Sequence, residues 1–519
     1  MTRPPGSPHV RRMQNPLSAV LMGAGNRGTI YGNFALRRPD RLRFTAVAEP
    51  IETRLRKFST AHRIPPDYRF SRWEQLLQRE KMADAAFICT QDRMHTRAAI
   101  RALHRGYHVL LEKPMAHALE DCVRIAAAAR SSGRSMAVCH VLRYTDFWST
   151  LRRTVREGRV GRMVSINHRE NVAWYHFSHS YVRGEWSNRD TSSPVILAKC
   201  CHDLDLLYWI AGEPPDRISS FGGLSHFREE NAPPGAPCFC VEGCPVQDTC
   251  LYYAPRIYVD IVPILQIAAK SENAAYRLAA RIRRRRPAVL AFLGRFIPVA
   301  RDFRYWREWP VTYLYAGQKA DYEQDYSDRA KMELLRSSPY GRCVYRAGNN
   351  VADHQVVNIR FPGGLTAHLT MHGFSEREGR RIRIDGTRGT LVGVFDTAGE
   401  RITVYDHDSG DEQVIFHKKL TARQVPHGGG DHKLVDAFLR SLAQERRPLT
   451  GPQETLESHL MAFAADRSRL ENMVVDMDGF RRWAATIAEP GGGATSGGGT
   501  APRRGASPGE EAPPSGENP

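Results

Sequence analysis

A short apolar run that leads into a glycine-rich turn constrains the fold of this chain more than any other feature. Leu17–Met22 is followed at once by GAGNRG, in which Gly23, Gly25 and Gly28 form a G-x-G-x-x-G motif. The first glycine permits a tight turn, the second lets a pyrophosphate approach the backbone, and the third lets a helix pack close to its strand. Amides at the helix start, from Asn26 and Arg27 onward, would bind the anion. The motif predicts a dinucleotide site, although a plain turn is the alternative for the motif alone.

An acidic residue ends the next strand-like segment. Phe44–Ala48 leads to Glu49, about twenty residues after the glycine turn, where a carboxylate would bind the ribose hydroxyls of a dinucleotide. A carboxylate also repels a 2′-phosphate and therefore favours NAD, whereas the nearby Arg54 and Arg56 leave NADP open.

The order of the predicted elements divides the chain into domains. In residues 17–144 short apolar strands alternate with helices, which predicts an α/β fold with a doubly wound parallel sheet. In residues 145–485 longer strands with period-two alternation predict an α+β domain with a large, open, mostly antiparallel sheet, interrupted by an insertion at 228–345. The remaining residues, 1–16 and 486–519, are rich in Pro, Gly, Ser and charge and are expected to be disordered.

Composition excludes some classes of protein. No apolar run reaches the roughly twenty residues of a membrane helix, and the apolar segment after Arg11-Arg12 is the nucleotide-binding strand rather than a removable signal, so we expect a cytoplasmic protein. The net charge of +18 is spread along the chain and is densest in the insertion, at Arg281–Arg286, so we expect no nucleic-acid partner. A membrane-surface helix is the alternative there, but a helical insertion with a solvated basic face is favoured, and no membrane partner is expected.

A lysine follows one of the parallel strands. His108–Leu111 leads directly into Glu112-Lys113-Pro114, and the carboxyl end of a strand in a doubly wound sheet faces the crevice that binds ligands. The proline could be cis. A solvated lysine at the end of a strand is the alternative interpretation.

Four features together resemble the Gfo/Idh/MocA oxidoreductases: the glycine motif, Glu49, Glu112-Lys113-Pro114 and the segment Lys199–Leu206. The resemblance implies a nicotinamide-binding Rossmann domain, then an α/β domain with an open sheet, and a sugar, cyclitol or related polyol held between them. It also implies that Lys113 contacts both cofactor and substrate, with Glu112 beside the cofactor.

His202 is the expected catalytic base in that resemblance. His202, Asp205 and Trp209 share one helical face at i, i+3 and i+7, so Asp205 could orient His202 and raise its basicity. His202 would remove the hydroxyl proton while hydride leaves for the nicotinamide and Lys113 stabilises the alkoxide. A capping or core histidine is the alternative.

One position departs from the family pattern. An aspartate usually precedes this histidine by four residues, and here the residue is Ala198. The substitution leaves open a glycosidase or lyase that uses bound NAD transiently, or a sensor without turnover. Lys199 is expected to replace part of the lost polar function.

Other polar and aromatic residues are expected to line the substrate crevice. They are Arg143, Tyr144, Trp174, His176, Arg183, Lys199 and His202. Aromatic rings and arginines suit sugar faces and acidic groups, whereas loop packing is the alternative. The free face of the second sheet is expected to form a homo-oligomer.

Four cysteines lie close together in the insertion. Cys238, Cys240, Cys244 and Cys250 form C-x-C-x3-C-x5-C. Four such thiols in a cytosolic chain predict a structural zinc site, with an iron–sulfur cluster, a redox disulfide or independent thiols as alternatives.

Overall fold

The computed structural model describes residues 16–270, 274–306, 308–315, 325–419 and 426–487. The expected disordered ends lie outside these ranges, apart from their innermost residues. Within the described ranges, no helix has both the length and the apolar character needed to cross a bilayer.

The N-terminal part is a parallel sheet with helices between its strands. Its six strands have the order β3-β2-β1-β4-β5-β6, and every pair is parallel, which confirms the predicted doubly wound fold. The elements are β1 Leu17–Met22, α1 Asn26–Arg37, β2 Leu42–Ala48, α2 Glu52–Ala61, β3 Arg69–Phe70, α3 Trp73–Gln78, β4 Ala85–Ile88, α4 His95–His104, β5 His108–Leu111, α5 Leu119–Ser132 and β6 Met136–Val138.

The chain then enters a second domain through a helical region that is interrupted by one long strand. These elements are α6 Asp146–Arg156, β7 Met163–Ala173, α7 Trp174–Phe177, α8 Val195–Ala198 and α9 Cys201–Ala211. A π-helical turn over Ser178–Val182 follows α7. Next come β8 Arg217–Gly223 and the insertion, which is helical as expected: α10 Ala254–Tyr258, α11 Val262–Ala269, α12 Ala274–Arg285, α13 Pro287–Leu293, α14 Pro298–Tyr305 and α15 Asp328–Leu334.

Most strands of the large sheet come after the insertion. They are β9 His354–Arg360, β10 Thr366–Ser375, β11 Gly379–Gly386, β12 Gly389–Asp396, β13 Gly399–Asp406 and β14 Glu412–Lys419, and the chain ends with α16 Gly430–Ala443, α17 Pro452–Glu471, β15 Val475–Asp476 and α18 Met477–Ile487. The sheet has the order β14-β13-β12-β11-β7-β10-β9-β8-β15. Only β7 and β10 pair in parallel, which confirms a mostly antiparallel sheet.

Two late helices bring the domains together. Leu434, Val435 and Phe438 of α16 are buried in the same core as β1 and α1, so α16 completes the N-terminal domain although it follows the large sheet in the chain. Helix α17 packs on α5 of the first domain and on α9 and β8 of the second. The crevice at the carboxyl ends of β1, β4 and β5 is therefore bounded by both domains.

Candidate active site

The glycine turn between β1 and α1 has no room for side chains at two positions. A Cβ on Gly23, whose φ is +93°, would lie 2.5 Å from the carbonyl oxygen of Cys89, and a Cβ on Gly28 would lie 2.1 Å from the carbonyl oxygen of Gly23. At Gly25, by contrast, the nearest atom to an added Cβ is Nη1 of Arg54, at 3.8 Å. The loop therefore keeps an open backbone cradle in front of the α1 N-terminus, which fits a dinucleotide pyrophosphate.

Glu49 lies beside this cradle at the end of β2. Its side chain is buried, and its two oxygens accept hydrogen bonds from the amides of Ala24 at 2.7 Å and Ile51 at 3.1 Å. The carboxylate thus connects the glycine turn to the loop after β2. Its contact with a ribose stays a prediction.

The side chains of Arg27 and Glu112 bind each other. Arg27 donates to Glu112 at 2.6 Å and also pairs with Asp431 of α16, while Tyr31 donates its hydroxyl proton to Glu112 at 2.5 Å. Burial alone would raise the pKa of Glu112, but Arg27 and these hydrogen bonds hold it below its ordinary value. The pair joins α1 to the end of β5, so both side chains support the turn, and direct cofactor contact stays a prediction for each.

Lys113 reaches from the first domain to the second. The Lys113–Pro114 peptide bond is cis, and the Lys113 ammonium donates to the carbonyl oxygen of Ala198, at 3.0 Å. Buried His95 supports the turn, with Nδ1 2.9 Å from the Pro114 carbonyl oxygen and Nε2 3.0 Å from that of Thr90. His95 was not among the predicted site residues, because only the fold brings the start of α4 beneath this turn.

Three buried histidine rings lie near Lys113. The ring of His140 is 5.4 Å from that of His202 and 5.7 Å from that of His459. His459 accepts from the Met115 amide at 2.8 Å and donates to the Thr455 carbonyl oxygen at 2.8 Å. Burial lowers the pKa of His459 to about 3 and that of His140 well below its ordinary value. Both rings are therefore neutral at physiological pH.

His202 lies in the first turn of α9, four residues after the carbonyl that Lys113 binds. Both oxygens of Asp205 accept from the Arg143 guanidinium at 2.7 Å, because a planar guanidinium makes two charge-assisted hydrogen bonds where an imidazole makes one. Asp205 therefore positions Arg143, and its expected partnership with His202 stays a prediction.

Family models cover most of the chain. A model described as "Oxidoreductase family, NAD-binding Rossmann fold" matches residues 17–140. A "GFO/IDH/MocA C-terminal domain" matches 148–250, and an "Oxidoreductase family, C-terminal alpha/beta domain" matches 292–477. The chain belongs to the Gfo/Idh/MocA oxidoreductase family. Its first domain is the NAD-binding Rossmann domain of that family.

Relatives in the Gfo/Idh/MocA family are distant. The putative oxidoreductase YteT of Bacillus subtilis is 21% identical over 384 residues, which span 72% of this chain and 76% of YteT. A 1,5-anhydro-D-fructose reductase of Ensifer adhaerens is 30% identical over 133 residues, but these span only 25% of this chain and 39% of the reductase. A levoglucosan dehydrogenase solved with NADH and levoglucosan has the same fold, with a TM-score of 0.58, 14% identity, and coverage of 89% of this chain and 100% of that chain.

Two arginines that were expected to bind substrate in this Gfo/Idh/MocA chain are buried anchors. Arg143 is held by Asp205 and lies over the Trp209 ring. Arg183 donates to the carbonyl oxygens of Arg342 and Tyr252, at 2.7 Å each, and so fastens the insertion to the π-helical turn. Both guanidinium groups bind protein acceptors, and a contact of either with substrate stays a prediction.

The aromatic candidates divide in a similar way. Trp174 is buried in the core of the second domain, and the Tyr144 hydroxyl lies 3.1 Å from Oγ1 of Thr450. His176 keeps about a quarter of its side chain exposed and lies 2.7 Å from Glu378. Of these three residues, Trp174 is buried, whereas Tyr144 and His176 are partly exposed.

Lys199 directly follows Ala198, and Ala198 is the position at which the family pattern has an aspartate. Its ammonium lies 3.2 Å from Glu170 and 3.4 Å from Glu378, and these carboxylates raise its pKa above the ordinary lysine value against the effect of burial. Glu378 also binds His176, which joins two predicted substrate residues in one ion cluster. Neither glutamate was predicted from the sequence, since one comes from β7 and the other from the loop before β11.

Beneath Lys199 lies a fully buried ion network. Arg380 pairs with Glu170 at 2.9 Å and with Asp203 at 2.8 Å, and His168 lies 2.7 Å from Asp203. Burial raises the pKa of Glu170, although Arg380 and Lys199 oppose the shift. Asp203 shows the opposite result: burial would raise its pKa, but Arg380 and His168 outweigh burial and hold the pKa below its ordinary value.

The zinc prediction is not supported. Within the described ranges, no group of three or more Cys, His, Asp or Glu residues is placed to hold a metal ion. Cys238 is exposed, whereas Cys240 and Cys244 are buried and line one small cavity with Cys250 and Cys343. Burial raises the pKa of Cys250 and of Cys343, so both stay protonated and pack as small apolar side chains.

Proposed function

We propose that this chain is an NAD(P)-dependent dehydrogenase that moves a hydride between the nicotinamide and a CH–OH group of a sugar, cyclitol or related polyol. The observation that carries the proposal is the bond from Lys113 to the Ala198 carbonyl oxygen. It places an ammonium group of the cofactor-binding domain at the start of the helical segment that carries His202. Family membership, and the names of the sugar-acting relatives, support the same reaction class.

Lys113 and His202 would have different functions in the reaction. A bound nicotinamide would supply the hydride acceptor or donor. Lys113, as a cation beside the reacting oxygen, would stabilise the developing alkoxide. His202 would take the hydroxyl proton, and the neutral His140 beside it would add no positive charge of its own. His176 and Lys199 would bind the other hydroxyl groups of the substrate.

The structure supports NAD as the preferred cofactor. Glu49 lies at the end of β2, and a 2′-phosphate there would meet its carboxylate. Arg54 is exposed over the glycine turn and is the residue that would favour NADP. We expect a lower KM for NAD than for NADP, and Glu49→Ser is expected to narrow that difference.

Absorbance in the NADH band tests the proposed function. Purified protein and NAD are mixed with a panel of sugars, anhydrosugars and cyclitols, and at least one substrate is expected to give a steady rise. A product formed without net NADH would support the transient-redox lyase instead. Stabilisation by a sugar without any product would support a sensor. Either result would overturn net dehydrogenation.

We also propose that the enzyme is a homo-oligomer that associates through the free face of the large sheet. Exposure alternates along β8 and β10, and it leaves Phe221 and Phe374 at 60% and 40% exposed. Exposed aromatic side chains on a sheet surface mark an interaction site.

The ten cysteines are all unpaired, which fits a reducing compartment, and we therefore place the oligomer in the cytoplasm.

A charge on that face is expected to dissociate the oligomer. Phe221→Asp should raise the dissociation constant about tenfold or more, because a buried carboxylate would have no partner in the interface. Sedimentation velocity over a concentration series measures the shift. Leu36→Asp is the control, since Leu36 is similarly exposed, at 47%, but lies on α1. A monomeric wild-type protein, or equal behaviour of the two variants, would contradict the proposed interface.

A further inference from the structure

The helical insertion carries an exposed surface that the proposed dehydrogenase does not use. Helix α12 and most of α13 lie between the stretches matched by the two C-terminal family models, 148–250 and 292–477, whereas α14 lies within the second stretch. One side of these helices is folded onto the second domain, since Ala280, Leu290 and Phe303 are buried in its core. The other side forms an exposed surface over residues 284–298, which we call the insertion tip.

Large apolar side chains protrude from the insertion tip. Phe292 is 59% exposed and Phe296 is 73% exposed, and their rings pack against each other with centroids 5.7 Å apart. Val289 and Ile297 beside them are 42% and 45% exposed. If this surface contacted only solvent, its large apolar side chains would be expected to point inward. The interpretation as a solvated basic face therefore does not explain why they are exposed.

Exposed arginines precede these apolar side chains in the chain or lie between them. They are Arg281, Arg284, Arg285, Arg286 and Arg295, and among the described residues none of them forms an ion pair. Residues 274–300 contain no aspartate or glutamate. Arg283 shows the contrast, because it faces inward, donates to the Val259 carbonyl oxygen and pairs with Asp328. The tip is therefore strongly cationic around an apolar centre.

We infer that the insertion tip docks on the surface of an anionic lipid bilayer. Phenylalanine side chains would enter the boundary between headgroups and acyl chains, while the surrounding arginines would bind lipid phosphates. This combination of exposed aromatic rings with uncompensated arginines is typical of interfacial helices. Such docking needs no spanning helix. It departs from the expectation from sequence that the protein has no membrane partner.

Vesicle co-sedimentation tests the inference on the full chain. Wild-type protein is expected to sediment with vesicles of phosphatidylglycerol and phosphatidylcholine and to remain in the supernatant with phosphatidylcholine alone. The triple variant Arg284→Gln, Arg285→Gln, Arg286→Gln should lower the partition coefficient by about tenfold or more, because each surface arginine contributes to attraction by anionic lipid. Phe292→Ser with Phe296→Ser should lower it about tenfold at unchanged charge.

A second basic surface supplies the matched control. Arg97 and Arg101 lie in α4 and Arg105 at its C-terminal end, four residues apart. The three arginines line a cavity of about 680 Å³ whose lining holds no phenylalanine. Replacing these three arginines with glutamine removes the same net charge and should leave vesicle binding within about twofold of the wild-type value, because they lie on a different surface from the aromatic rings.

Three results would overturn the inference: no binding of the wild-type protein, equal loss in the α4 control, or full binding by the double serine variant. Preferential binding of RNA over vesicles would do the same. Circular dichroism melting checks that each variant is folded. Since no turnover is measured, failure here is separate from failure of the proposed dehydrogenase.

Discussion

Lys113→Met is expected to reduce kcat/KM for the best polyol substrate by about 10³-fold while the dissociation constant of NAD changes by less than about threefold. The variant keeps the length of the side chain and its apolar stem but removes the ammonium that lies 3.0 Å from the Ala198 carbonyl oxygen. Loss of one charged group that stabilises a developing oxyanion in an enclosed site has effects of about 10²- to 10³-fold. Initial rates from NADH absorbance and NAD titration by calorimetry give the two quantities.

Measuring kcat/KM and the NAD dissociation constant separately distinguishes a loss of catalysis from a loss of folding. Lys433→Met is the control, because Lys433 is an exposed lysine whose partner is Asp146, outside the crevice, and its rate should stay within about twofold of the wild-type value. A Lys113→Met enzyme with more than a tenth of the wild-type kcat/KM would show that the ammonium does not act on the reacting oxygen. Loss of NAD binding with normal circular dichroism would instead assign Lys113 to the cofactor alone.

The N-terminal fold could be predicted because its signals are local. The apolar run before Gly23 and the alternation of strands and helices specify a parallel sheet. The order of the large sheet was not accessible in the same way, because β7 pairs with β10 and β11 more than 190 residues later. Alternation shows that a segment is a half-buried strand but does not show its partner. The return of α16 to the first domain was missed for the same reason.

The site could also be predicted only in part, because the sequence does not show which charged side chains bind each other. Helical spacing correctly placed His202 and Asp205 in one helix, but Arg143, 62 residues before Asp205, is the partner that Asp205 binds. Arg183 and the insertion meet in a similar long-range contact. Side-chain type and spacing predicted Lys113, His176, Lys199 and His202 as residues of the crevice, and this stays a prediction, whereas Glu170 and Glu378, which bind Lys199, came only from the folded chain.

The buried ion network around Arg380 lies beneath Lys199 at this crevice. The second large prediction concerns the stability that this network contributes. Arg380 donates to Asp203 through Nε at 2.8 Å and through Nη2 at 3.2 Å, and both side chains are buried. Removal of Asp203 would leave Arg380 with Glu170, a carboxylate that Lys199 shares, and an undercompensated buried charge of this kind costs about 3–5 kcal/mol. The cost arises from the desolvated guanidinium rather than from the attraction lost.

Asp203→Ala is therefore expected to lower the free energy of unfolding by about 3–5 kcal/mol, measured by urea denaturation at pH 7. Asp216→Ala is the matched control, since Asp216 also takes two bonds from an arginine, Arg360, but on the surface, where the loss should be about 0–1 kcal/mol. The pKa of Asp203 lies below its ordinary value in the folded state, so its contribution is complete above about pH 4 and is lost as the pH falls further. The stability difference between wild type and Asp203→Ala should accordingly shrink at acid pH. A difference that stays constant from pH 7 to pH 3, or equal losses in the two variants, would show that the carboxylate at 203 acts through packing and not through its charge.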